Sequence, residues 1–186
     1  MTVTPVRAGR LLFLLLLAYW TWLFLVRPMR EEVIGASFLH LVSLPFHEAG
    51  HLIFSPFGDL MTAFGGSLAQ VLVPVICGIA FATTSPSAFG VAVMAWWAGE
   101  NLMDVAVYIN DARSLTLMLL GGHTGAEVEG HDWERILQLT NLSRHDHHIA
   151  WTVHAIGGVI MIGALAWGAV VSGRAEGQRD AARELV

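Results

Sequence analysis

The residues His47-Glu48-Ala49-Gly50-His51 put two imidazoles and a carboxylate inside Val33 to Phe57, a stretch apolar and long enough for a membrane-spanning helix. Ionisable groups at such depth are costly, and they face a protein interior, a wet cavity or a partner ion. Residues four apart on an α-helix lie one above the other, so both imidazoles can reach a single Zn²⁺. Glu48 then sits beside the metal, placed to take a proton from a zinc-bound water rather than to ligate. The competing reading is a pair of helix histidines hydrogen-bonded to neighbouring helices, with Glu48 as their ion partner.

Composition supports a bilayer setting. Hydrophobic residues make up 55% of the 186 and charged residues 13%, with a mean hydropathy of +0.59, so the chain reads as an integral membrane protein. All ten basic residues are arginine, and a formal net charge of -5 gives no basic surface to track a nucleic acid. Cys77 stands alone, which excludes an internal disulfide and a cysteine metal cage.

The pattern predicts an all-α bundle of about five transmembrane helices in one domain, residues 1–173, followed by a polar tail, 174–186. The expected spans are 11–26, 33–57, 60–81, 88–109 and 149–171. Ser55-Pro56-Phe57-Gly58-Asp59 and Ser85-Pro86-Ser87 supply turns between them. The extramembrane segment 110–148 contains a short amphipathic surface helix, with Asp132 as its cap and Trp133, Ile136 and Leu137 on its apolar side. His145-Asp146-His147-His148 reads as solvated loop, and Asp111 with Arg113 as a juxtamembrane ion pair. The arginines divide evenly between the two sides, so the positive-inside rule does not orient the chain. The expected location is multi-pass, in a bacterial cytoplasmic membrane.

A catalytic zinc site takes three protein ligands and leaves a position for water. Asp104 is the expected third ligand, because Glu100, Asp104 and Asp111 share one face of the fourth span. His131 is the alternative, with the neighbouring Asp132 as its orienting carboxylate. Gln70, Asn101 and Glu100 are candidates to contact substrate or to line a polar channel with His40. Gly65 and Gly66 read as helix-packing residues.

His-Glu-x-Gly-His, Phe64-Gly65-Gly66-Ser67-Leu68-Ala69-Gln70 and Asn101-Leu102-Met103-Asp104 together resemble the site-2 protease group of intramembrane zinc metalloproteases over about residues 33–110. Gln70 stands where that group has Asn, and Asp104 lacks the flanking Leu and Gly. The resemblance implies zinc held by His47, His51 and Asp104, Glu48 as general base, and cleavage of a membrane-embedded or membrane-adjacent peptide. Lipid and the substrate are then the partners, with a homo-oligomer or larger membrane complex as a further possibility. Two other classes stay open: a membrane cytochrome with haem between histidines of two helices, for which His40, His47, His51 and His154 are available, and a non-catalytic metal-binding subunit of a membrane complex.

Overall fold

The computed structural model describes residues 4–27, 29 and 33–183, with side chains described as far as Gly173; the side chains of the predicted tail lie outside that range. Six α-helices account for most of the chain: α1 (Pro5–Val26), α2 (Phe38–Phe54), α3 (Asp59–Thr83), α4 (Ala88–Asp111), α5 (Asp132–Leu139) and α6 (Asp146–Arg183). Backbone helix therefore continues from the last apolar span into the tail.

Local chemistry sets the ends. Ser37 caps α2 by accepting from the His40 N–H at 3.2 Å, and residues 33–36 form turns, so α2 has 17 residues rather than the expected 25 or so. Its far end tightens into the 3₁₀ turn Ser55–Phe57 and reverses at Gly58, where φ is 92°. Ser87 caps α4 through the Gly90 N–H at 3.0 Å.

Three helices are long and apolar enough to cross a bilayer: Pro5–Val26, Asp59–Thr83, and Ser143–Gly173, a 3₁₀ turn that runs on into α6. The two other predicted spans fall short of that standard. At a rise of about 1.5 Å per residue α2 is only about 26 Å long, and α4 carries Glu100, Asn101 and Asp104 in its middle. Asn101 and Asp104 are accommodated by hydrogen bonds within the protein, to Gln70, the Trp97 carbonyl and His40, whereas the fully buried Glu100 carboxyl has no hydrogen-bond partner among the described residues.

Glycines set the helix crossings. A Cβ on Gly99 would lie 2.7 Å from the Gly157 carbonyl, and one on Gly157 would lie 2.6 Å from the Gly99 carbonyl, so α4 and α6 meet backbone to backbone. Gly50 and Gly65 meet in the same way where α2 crosses α3. The reading of Gly65 as a packing residue accords with that crossing. Helix α1 lies along α6, with Leu14 over Gly168, and Thr21 accepts a hydrogen bond from Trp96 Nε1 of α4 at 2.8 Å. Phe24, Met103, Ile109 and Met161 fill the core, while Leu12, Leu15, Ile76, Ile79, Val159 and Trp167 point outward.

The segment between α4 and α5 is organised by one carboxylate. Asp111 accepts from Ser114 Oγ at 2.7 Å, Thr116 N at 3.0 Å, Thr116 Oγ1 at 2.8 Å and Leu117 N at 3.0 Å, with His131 Nε2 a further 3.5 Å contact. The predicted Asp111–Arg113 pair does not form, because Arg113 reaches Asp146 at 2.6 Å instead. Asp146 is fully enclosed and His147 bonds Asn110 at 2.7 Å, so these two members of the cluster are tied down at the end of α4, while His145 and His148 are exposed. Beyond Asp111 the chain makes a small reversal through Gly121 and Gly122, pairing Met118 with Thr124, and returns across the bundle to α5.

Candidate metal centre

The imidazoles of His47 and His51 stack edge to face on α2 with ring centroids 4.8 Å apart. Their Nε2 atoms lie 3.2 Å and 3.3 Å from one oxygen, Asp132 Oδ2. On the far side of each ring the other nitrogen is engaged: His51 Nδ1–H donates to the Thr62 carbonyl at 2.8 Å, and His47 Nδ1 lies 2.6 Å from Gln70 Oε1. Imidazoles anchored at Nδ1 present the Nε2 lone pair forward, which is how protein ligands are oriented on a metal. Two lone pairs facing a carboxylate oxygen repel unless positive charge lies between them.

The spacing fits a metal ion in that place. Ligand bonds of about 2.0–2.2 Å in a tetrahedral arrangement put neighbouring donor atoms about 3.3 Å apart, close to the two observed separations. Among the described residues, His47, His51 and Asp132 are the group of histidine, cysteine and acidic side chains able to hold a metal ion. When only protons occupy the Nε2 atoms, burial pushes the Asp132 carboxyl up, but the hydrogen bonds from His47 and His51 outweigh it and hold the group below its ordinary value.

The carboxylate beside the histidines is thus Asp132, and neither Asp104 nor His131 belongs to the group. His131 and Asp132 exchange the parts that the sequence suggests. His131 is the N-cap of α5, its Nδ1 accepting from the Glu134 N–H at 3.1 Å, and its ring packs on Tyr108 and the Asp111 carboxylate. Asp132, the first helical residue, projects towards α2. Helix α5 is held there by Trp133, whose Nε1 donates to Ser67 Oγ at 3.0 Å and whose ring meets Phe64 of α3 edge-on. Tyr108 Oη accepts from the Asp132 N–H at 3.1 Å and lies 3.4 Å from Oδ2, a positioning role that sequence reasoning missed.

Asp104 instead faces His40, with Nδ1 3.0 Å from both carboxylate oxygens, and receives the Gln70 amide at 3.0 Å. Asn101 accepts from Gln70 at 3.2 Å and donates to the Trp97 carbonyl at 3.1 Å. Asn101 and Glu100 are fully buried and do not line the cavity beside the histidines, whereas Gln70 borders it.

That cavity, about 690 Å³, runs along α2 from Gly35 and His40 past Leu44 to His47, Glu48 and His51. Asp132, Tyr108 and the returning loop form its other wall. Glu48, half-buried, stands on its lining beside the imidazoles. Gly66 makes the floor possible: a Cβ there would lie 2.5 Å from His47 Nε2 and 2.6 Å from His51 Nε2. Its role is to make room for the imidazoles, more specific than helix packing.

Compared with protein-family models, curated proteins and solved structures, the chain matches none.

Proposed function

We propose that the protein is a membrane-embedded zinc metallopeptidase that hydrolyses a peptide bond of a membrane or membrane-adjacent protein, with His47, His51 and Asp132 holding the metal. The observation that carries this reading is the convergence of two Nδ1-anchored imidazoles and a half-buried carboxylate beside a cavity that Glu48 also lines. When bound, the metal supplies Lewis acidity and brings the pKa of a water towards neutrality. Glu48 takes the proton of the attacking water at its carboxylate and returns it to the leaving amine. Tyr108 holds Asp132 in place, and the returning loop limits the access of bulk water to the cavity. The apolar part of the wall, Leu44, Val105, Leu117 and Leu119, suits a stretch of peptide. In the bilayer, α1, α3 and α6 cross, and α2 and α4 complete a five-helix arrangement with the site within the membrane.

The convergence favours one ion over a haem held between two helices, since the Nε2 atoms of His47 and His51 address one point beside Asp132, whereas His154, the histidine that α6 would supply, lies buried beside Phe24 of α1 and Trp151.

The test is metal content by mass spectrometry on detergent-purified protein, an absorption spectrum, and cleavage of a membrane-inserted peptide. Near-stoichiometric zinc in the wild type and Glu48→Gln, its loss in His47→Ala, and cleavage absent only in the variants are expected. Zinc without any turnover leaves a structural metal subunit; a Soret band or no metal overturns the metallopeptidase.

A further inference from the structure

We propose that Gln70 is a positioning residue for the metal ligand His47, and that Asp104 acts on the metal centre through it. The inference rests on the metal-site reading above and adds to it the role of three buried polar groups, Gln70, Asn101 and Asp104, and of the half-buried His40.

Donors and acceptors in the cluster can be assigned without ambiguity. Asn101 Nδ2 donates to the Trp97 carbonyl, so its Oδ1 is the atom that faces Gln70. Gln70 therefore meets two acceptors on one side, Asn101 Oδ1 at 3.2 Å and Asp104 Oδ2 at 3.0 Å, and its NH₂ must point there. A flipped amide would set its oxygen against a carboxylate. With the NH₂ so fixed, Gln70 Oε1 is forced towards His47 Nδ1 at 2.6 Å and can only accept, so Nδ1 carries the proton and Nε2 is left as the ligating nitrogen. Gln70 is 4% exposed, Asn101 0% and Asp104 7%, so water offers little competition for these bonds.

The arrangement is a carboxylate–histidine pair with an amide interposed. An aspartate in direct contact with His47 would do the same task but would add negative charge next to the metal ligands; the amide passes on the orientation and keeps the charge one residue back. His40 closes the chain, bonding Asp104 through Nδ1 and bordering the cavity, which links the cavity wall to a metal ligand through Asp104 and Gln70.

The test measures two properties of purified protein: the ring ¹⁵N shifts of His47, which report its tautomer with or without metal, and zinc retention against a competing chelator. Gln70→Leu is expected to lose the fixed Nδ1–H tautomer and to weaken zinc retention about 10–100-fold. Gln70→Glu sets two carboxylates together and should weaken retention similarly. The double variant Gln70→Glu with Asp104→Asn restores an acceptor for His47 and a donor behind it, and should recover retention to near the wild-type level. Unchanged tautomer and retention in Gln70→Leu, or failure of the double variant to recover over Gln70→Glu while remaining helical, overturns the proposal. A wild type that holds zinc but cleaves nothing defeats only the peptidase reading, and the presence of the Nδ1–H, lost in Gln70→Leu, decides this inference even in metal-free protein, where Nε2 also carries a proton towards Asp132.

Discussion

Asp132 Oδ2 lies 3.2 Å from His47 Nε2 although 85 residues separate the two in sequence. The elements between them bring it about: α3 and α4 form the platform, Asp111 folds the loop back, and Trp133 fixes α5 against α3. The relationship makes the two aspartates separable by experiment. Asp132→Ala should abolish zinc retention, whereas Asp104→Asn should keep near-stoichiometric zinc and lose at most about tenfold in affinity. Metal analysis of the two variants side by side checks this; zinc lost from Asp104→Asn alone would reverse the assignment.

Gly66 and Gly50 should fail differently. Gly66→Ala forces a methyl against both ligating nitrogens, so zinc retention is lost while helix content and thermal stability change little. Gly50→Ala drives a Cβ into the Gly65 carbonyl where α2 crosses α3, an overpacking cost of about 1–3 kcal/mol that appears as a lowered melting temperature. Circular dichroism with metal analysis separates the two.

Acid should release the returning loop. Burial pushes the Asp111 carboxyl up, but His131, the Leu117 N–H, Ser114 and the Thr116 N–H together outweigh it and hold the group far below its ordinary value. A carboxyl depressed in the folded state contributes its stability in full above the unfolded value, about pH 4, and loses it as pH falls towards the folded one. Hydrogen exchange at the Thr116 and Leu117 amides should thus stay protected from neutrality down to about pH 4 and rise below it. Asp111→Asn should show the raised exchange already at pH 7, with a cost of about 2 kcal/mol from weakened charge-assisted bonds.

The two polar anchors of α5 should contribute unequally. Trp133 is buried, and Trp133→Ala should cost about 3–5 kcal/mol and release zinc as α5 detaches. The Arg135–Asp59 pair, at 2.7 Å, is exposed on both partners, and Arg135→Ala should change stability by less than about 1 kcal/mol with zinc retained. Chemical denaturation of both variants, followed by metal analysis, gives the comparison.

Residues close in sequence were legible from it. The i, i+4 geometry of His47 and His51, the helix boundaries at Ser87 and Gly58, and the short helix beginning near Asp132 all follow from local spacing and capping. Apolar content likewise announces the three helices long and apolar enough for a bilayer, while the shortened start of α2 and the enclosure of α4 depend on capping and packing, which hydropathy does not contain.

The third member of the metal group was not legible, for a physical reason. Asp104 and Asp132 are equally plausible carboxylates by type; which one meets the histidines depends on the crossing of α2 and α3 at Gly50 and Gly65 and on a loop whose path is set by Asp111. The sequence alone determined that two imidazoles and a glutamate would share one helix, since 3.6 residues per turn leaves no other outcome. Only the tertiary structure decided which carboxylate completes them, because contacts across 85 residues depend on packing and loop closure, which no local periodicity encodes.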